Sequence, residues 1–263
     1  MEPLKSFEKQ EAAFARLLKI MDELRENCPW DKKQTLESLR PLTIEEVYEL
    51  GDAILQKDIT GIKKELGDLM LHLVFYARIA SETKEFDIAD VLHTQCEKMI
   101  ERHPHIYGDV KVKDEEEVKM NWEKIKLKSG NTSVLSGVPT GMPSLVKAQR
   151  IQEKAKGAGF DWNHKSEVWD KLQEELSELQ EEVIAQKSAS RIEEEFGDVF
   201  FAFINYARFL GVNAENALEK TNLKFQRRFQ YMEQKIKEAG KNLAESTLPE
   251  MDQFWDEAKK NGL

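Results

Sequence analysis

Apolar residues recur every three or four positions along most of this chain, and no stretch shows the strict alternation of a half-buried strand. The spacing predicts helices over 8–26, 43–56, 61–82, 87–103 and 115–128, and then over 145–157, 166–187, 190–210, 213–239 and 248–260. Between the two sets, residues 129–144 carry Gly130, Gly137, Pro139, Gly141 and Pro143, a density of helix breakers that reads as a linker. The expected organisation is all-α, with helical domains at 1–128 and 145–263. Only 13 Gly and 7 Pro in 263 residues agree with long helices and few turns.

The two halves are versions of each other. Glu45-Glu46-Val47-Tyr48-Glu49 and the later Glu65-Leu66-Gly67-Asp68 return as Glu174-Glu175-Leu176-Ser177-Glu178 and Glu195-Phe196-Gly197-Asp198. Leu66, Leu69, Met70, Leu73, Tyr76, Ala77 and Arg78 match Phe196, Val199, Phe200, Phe203, Tyr206, Ala207 and Arg208 in register. These apolar matches are expected to be core. Leu172, Leu176, Leu179 and Val183 form one helical stripe, as do Val47, Leu50 and Ile54, and the acids sit one position before stripe residues. The acids therefore flank a stripe that is expected to be buried, which a purely solvated face would not require twice.

Carboxylates at i and i+3 share one helix face. If each pair of acidic helices packs antiparallel, Glu46, Glu49, Glu65 and Asp68 converge, and so do Glu175, Glu178, Glu195 and Asp198. Like charges about 4 Å apart repel by roughly 4 kcal/mol per pair at an effective dielectric near 20, so a cation is expected between them. Hard oxygen donors without Cys or a matched His suit Mg²⁺, or Mn²⁺, better than zinc. A di-iron bundle would need Glu-x-x-His pairs, whereas Asp68 and Asp198 stand at the third position after Glu65 and Glu195. His72 has Ala202 as its counterpart and reads as a packing or surface residue rather than a ligand.

Downstream of the second acid block, Lys220, Lys224, Arg227 and Arg228 lie on one predicted helix, and the last three share a side. Cations beyond a metal site suit a metal–polyphosphate ligand. No phosphate-cradling GxxxxGK[ST] loop is present. With 49 acidic against 39 basic residues and a net charge of −10, the chain lacks the basic footprint of a nucleic-acid surface. No apolar run approaches the roughly 20 residues of a membrane span, and the first residues lack a secretory pattern. Cys28 and Cys96 show no disulfide or metal spacing. A cytoplasmic setting with reduced thiols is expected.

Taken together, the two EExxE segments, the later E-[LF]-G-D segments, Cys28-Pro-Trp-Asp-x-x-Gln-Thr35, Glu101-Arg-His-Pro-His105, Gly159-Phe-Asp-Trp162 and Lys224-Phe-x-Arg-Arg-Phe229 resemble the MazG family across the whole chain. The resemblance implies two tandem MazG-like helical bundles, a homodimer, and Mg²⁺-dependent hydrolysis of ribo- and deoxyribonucleoside triphosphates to the monophosphate and pyrophosphate. It implies that Glu175, Glu178, Glu195 and Asp198, with Glu194 as an extra candidate, hold metal. It also implies that Lys171, Lys224, Arg227 and Arg228 contact phosphates and that Trp255 lies against the nucleotide. Glu175 and Glu178 are the candidates to accept a proton from the attacking water. Two other readings stand beside this one: a pyrophosphatase restricted to non-standard nucleotides, and a non-catalytic helical scaffold.

The halves are not expected to be equivalent. A second, weaker site would comprise Glu46, Glu49, Glu65, Asp68, Lys98 and Arg102, because Glu101 stands where the other half has Arg227. Pro104 should also stop the first cationic helix where its counterpart continues through Phe229 and Tyr231.

Overall fold

The computed structural model describes residues 7–263, apart from residues 116, 119–120, 123–124 and 126–132. Every regular element among the described residues is a helix. The helix expected at 115–128 lies largely outside them, as does the start of the expected linker. Two compact units, Met1–Lys111 and Val112–Leu263, divide the chain.

The first unit runs α1 (Glu8–Asn27), a 3₁₀ turn (Asp31–Lys33), α2 (Leu36–Gln56), α3 (Ile59–Glu82), α4 (Ile88–Arg102) and the short α5 (Pro104–Tyr107). Helix α2 begins at Leu36, well before the expected 43. Pro41 inside a helix removes a backbone hydrogen bond at a cost of about 3 kcal/mol, which argues for a later start. The start is held instead by a capping box: the Ser38 amide donates to the Thr35 hydroxyl and the Thr35 amide to the Ser38 hydroxyl. Leu39, one turn in, is fully buried with Met21, Val74 and Phe75, so the extra turn of α2 is anchored by the core of this unit. Arg25 ties the layers together: its guanidinium donates to both carboxylate oxygens of Glu82 and to the carbonyls of Asp31 and Gln34.

The second unit runs α6 (Ser144–Gly157), α7 (Lys165–Ile184), α8 (Ala189–Phe209), α9 (Ala214–Glu238), a 3₁₀ turn (Leu243–Glu245) and α10 (Leu248–Lys260). Its core gathers Val168 and Leu172 of α7, Ile204 and Ala207 of α8, Met232 and Ile236 of α9 and Ala258 of α10. Arg208 holds the Gly159–Trp162 loop through Asp161, with one N–H···O distance of 3.0 Å. As expected, α4 stops at Arg102 and Pro104 restarts the chain as α5, whereas α9 runs unbroken past Phe229 and Tyr231.

Helices α2 and α3 form a hairpin, and so do α7 and α8. Both hairpins turn the same way. Lys57 and Gln186 adopt left-handed backbone conformations (φ 59° and 50°), their amides donating to Ile54 and Val183, and the next amides reach back to Ala53 and Glu182. The left-handed region is costly for a residue with a Cβ, so its use at both aligned turns marks the repeat as structural.

One expectation about these hairpins is overturned. Val47, Ile54, Leu66, Met70 and Leu73 are exposed in the first unit, and Leu176, Val183, Phe196, Phe200 and Phe203 in the second, with Phe200 at 65 % and Phe203 at 58 % exposure. The inner face of α2 instead follows Leu39, Leu42, Glu46, Leu50 and Ala53, and that of α7 follows Val168, Leu172, Glu175, Leu179 and Glu182. Both runs have helical spacing, but the acids, rather than the flanking apolar residues, lie on the core-facing line. Of the matched apolar residues, Ala77 and Ala207 are buried and Tyr76 and Tyr206 half-buried.

Because Leu39 is completely enclosed, Leu39→Ala should lower unfolding stability by about 2–5 kcal/mol. Urea denaturation followed by circular dichroism measures this. A loss well below 1 kcal/mol would show that α2's first turns do not depend on that contact.

Candidate active site

In the second unit, Glu175 of α7 and Glu195 and Asp198 of α8 bring carboxylate oxygens within 4.8 Å of one another. Glu175 and Glu195 are buried, at 8 % and 7 % exposure, and Asp198 is exposed. Around them Glu178, Glu181, Glu182, Arg191 and Glu194 complete the wall of a pocket of about 580 Å³. The expected ligands Glu178 and Glu194 lie on this wall, and Glu181, Glu182 and Arg191, which were not in the expected site, lie on it as well.

Burying an ion costs several kcal/mol unless it is compensated. Here the compensation comes from the pocket rim. Arg191 pairs with Glu182 (3.4 Å), Glu194 (2.7 Å) and Glu195 (3.0 Å), and Lys171 pairs with Glu174 (2.6 Å) and Glu175 (2.9 Å). It is incomplete. Burial pushes the Glu195 carboxyl up, against the opposing pull of Arg191, and Glu178, Asp198 and Glu182 push it further. Oε2 of Glu182 is buried with no hydrogen-bond partner. An orphaned carboxylate oxygen, an acid held above its usual range, and a donor set made only of carboxylates together fit a hard divalent cation.

The first unit repeats the arrangement with different neutralisation. Glu46, Glu49 and Glu65 come within the same 4.8 Å, with Glu65 buried. Glu46 is pushed up by burial and then by Asp68, Glu49 and Glu65. The ammonium of Lys64 lies 3.0 Å from Glu65, 3.6 Å from Asp68 and 3.7 Å from Glu49. His72 is buried with Nδ1 lacking a partner, and burial lowers its pKa, as suits a packing residue.

The cationic residues gather on another part of the second unit, the α9–α10 pair. Trp255 stands 5.0 Å from Phe225 between ring centroids, Arg228 lies 6.0 Å from the Trp255 ring, and Nε of Arg228 donates to the Leu263 carbonyl at 2.6 Å. Lys224 is half-buried and Arg227 exposed. Lys171, expected at a phosphate, pairs with Glu174 and Glu175. On α4 of the first unit, Lys98 and Arg102 are half-buried and Glu101 exposed.

Two segments of the chain, residues 34–107 and 164–232, match the profile described as the MazG nucleotide pyrophosphohydrolase domain. One spans the α2–α3 hairpin and the other the α7–α8 hairpin. The chain belongs to the MazG family. A protein of Thermotoga maritima named nucleoside triphosphate pyrophosphohydrolase/pyrophosphatase MazG is 44% identical over 251 residues, covering 94% of this chain and 95% of that one. The Escherichia coli K12 nucleoside triphosphate pyrophosphohydrolase is 40% identical over 256 residues, covering 94% of this chain and 97% of that one. The Bacillus subtilis protein YabN is 44% identical over 252 residues but is matched over 52% of its own length. As a MazG family member the chain carries its acid clusters, one per unit, within the two matched segments.

Glu195 is held above its usual pKa, so the folded state binds more protons than the unfolded one as pH rises through and above the ordinary carboxylate range. Its ionisation therefore opposes folding once the pH passes that range. Without divalent cation at neutral pH, Glu195→Gln should raise the melting temperature. Adding Mg²⁺ should raise that of the wild type and leave the variant nearly unmoved. A variant that melts lower without metal, yet responds to Mg²⁺ like the wild type, would remove Glu195 from the metal-binding set.

Proposed function

We propose that this chain is a Mg²⁺-dependent nucleoside triphosphate pyrophosphohydrolase. It cleaves ribo- and deoxyribonucleoside triphosphates to the monophosphate and pyrophosphate, and most of the catalysis is done by the second unit. The observation that carries this reading is the pocket between α7 and α8, walled by seven carboxylates and Arg191, within a matched MazG segment, in a chain whose full-length relatives bear that activity in their names.

Glu175, Glu195 and Asp198 would hold the metal, with Glu178 beside them on the pocket wall. Bound Mg²⁺, or Mn²⁺, supplies positive charge to the phosphoryl oxygens and lowers the pKa of a water. Lys171 fixes the Glu175 carboxylate through its 2.9 Å pair. Glu178, outside the close group of three yet on the same wall, would take the proton of the attacking water. Arg191 holds Glu195 and Glu182 in place and keeps part of the pocket's charge balanced. Lys224, Arg227 and Arg228 neutralise the polyphosphate, and Trp255, already against Arg228, provides a face for the nucleotide.

The same reading includes a homodimer. The exposed stripe of Leu176, Val183, Phe196, Phe200 and Phe203 runs along the α7–α8 hairpin, and its counterpart runs along α2–α3. An apolar face repeated at aligned positions suits a second copy of the chain better than solvent.

Glu178→Ala or Asp198→Ala should cut pyrophosphate release by about a hundredfold or more, with the helical circular dichroism unchanged, while Glu49→Ala leaves substantial activity. Equal losses from Glu49→Ala and Glu178→Ala would overturn the assignment to the second unit. For the dimer, light scattering on Phe200→Asp and Phe203→Asp should give half the wild-type mass. A wild type that is already monomeric, or variants that stay dimeric, would remove the stripe from the interface.

A further inference from the structure

The two acid clusters differ in where their counter-charge is rooted. In the second unit two cations reach the cluster: Lys171 of α7 pairs with Glu175, and Arg191, one turn before Glu195 on α8, pairs with Glu182, Glu194 and Glu195. The position aligned with Arg191 in the first unit is Gly61. A Cβ there would sit 2.6 Å from Oδ2 of the helix's own N-cap Asp58 and 3.2 Å from the Cβ of Ala53, so a side chain at that position would have to displace the Asp58 carboxylate and press on Ala53. Ala53 itself stands where the second unit has Glu182. A glycine–alanine contact has thus replaced an ion pair, and the cation is supplied three residues later by Lys64, at the position of Glu194.

That change of root moves the charge. Lys64 directly precedes Glu65, and its ammonium bridges Glu49 of α2 to Glu65 and Asp68 of α3 at 3.7, 3.0 and 3.6 Å. It lies between the two helices, among oxygens that a metal would need. The second pocket has seven carboxylates and one guanidinium on its wall, leaving six formal negative charges. The aligned positions of the first keep Glu46, Glu49, Asp52, Glu65 and Asp68 with one ammonium, leaving four.

We infer that Lys64 is a tethered counter-ion that takes the place of a divalent metal among Glu49, Glu65 and Asp68, so that the first-unit cluster binds such a metal far more weakly than the second. This rests on the metal-site reading of the second unit. A divalent ion entering the first cluster must displace an ammonium carried on the same chain, whose effective concentration there does not fall on dilution. Lys64→Glu would place a carboxylate at the position of Glu194 and bring the formal charge of the first cluster to that of the second. Lys64→Met would remove the ammonium and keep the apolar stem. Lys64 is largely exposed, so neither change opens a cavity.

The test is Mn²⁺ titration of the full-length chain without nucleotide, with free Mn²⁺ read by its electron paramagnetic resonance signal. Wild type is compared with a Glu195→Gln/Asp198→Asn background, and Lys64→Met, Lys64→Glu and Lys64→Arg are then added to that background. Relative to the background, Lys64→Met and Lys64→Glu should tighten Mn²⁺ binding by about tenfold or more, with Lys64→Glu the stronger, and Lys64→Arg should leave it weak. If Lys64→Met and Lys64→Glu bind no better than the background while wild type binds Mn²⁺ through Glu195 and Asp198, the inference about Lys64 is overturned and the metal site of the second unit stands. If wild type and background bind alike, the metal reading of the second unit fails, and the inference fails with it.

Discussion

The structure depends on the burial of carboxylates in the seam of an antiparallel helix pair. Glu65, Glu175 and Glu195 occupy positions on the inner faces of their hairpins where an ordinary bundle would place leucine or alanine. Replacing apolar contact with ionised oxygen costs several kcal/mol per group, and the neighbouring acids add to it. The cost is borne locally by Lys64, Lys171 and Arg191, and the cores of both units lie farther along the same helices, around Leu39 and Phe75 in one and Leu172 and Ile204 in the other. Each hairpin is therefore well packed on one stretch and electrostatically strained on another. Strain of this kind is relieved by a multivalent cation more effectively than by a single ammonium or guanidinium, because one ion can serve three or four oxygens at once.

The two units distribute that relief differently. In the second unit Lys171 and Arg191 pair with Glu175 and Glu195, and seven carboxylates on the pocket wall still leave an excess of negative charge. Lys64 sits among its acids, and Gly61, packed tightly against Asp58 and Ala53, stands at the position of Arg191. Differences at three aligned positions, 53 and 182, 61 and 191, and 64 and 194, thus accompany a change from a pocket wall of six formal negative charges to a cluster of four with an ammonium among its acids. The same direction of change appears on the cationic helices, where Glu101 stands at the position of Arg227 and α4 ends before Pro104.

Much of this was legible in the chain. The i, i+3 acids repeated in both halves identify the clusters, because only one helix geometry lets those spacings converge twice. The break at Pro104 follows from the missing amide of proline. The start of α2 was misread because Pro41 argues locally for a stop, whereas the Thr35–Ser38 box and the burial of Leu39 decide the matter, and the second of these is a tertiary contact. The stripe through Leu176 and Val183 was misread for a different reason. Helical periodicity shows that a face is apolar but not what covers it, and these helices carry two lines of suitable spacing one residue apart. Arg191 and Lys64 were missed because a cation three or four residues from an acid looks like an ordinary solvated pair. The signal that would have exposed them is the mismatch of aligned columns, a lysine where the other half has a glutamate.

The buried acids and the exposed apolar stripe are consequences of one pattern. Leu176 follows Glu175 and Phe196 follows Glu195, so when the acids turn into the seam the residues after them turn about 100° away from it. A helix that commits its inner line to carboxylates must carry its remaining apolar residues on the outside at the same levels. Those outer residues flank the acids on both helices of the hairpin, so whatever covers them also constrains the spacing of α7 against α8. The carboxylates repel one another and tend to open the seam there, and a partner face packed on Leu176, Phe196 and Phe200 would oppose that opening. Covering the stripe and closing the acid cluster around a cation would thus stabilise the same hairpin geometry, and each should be favoured by the other.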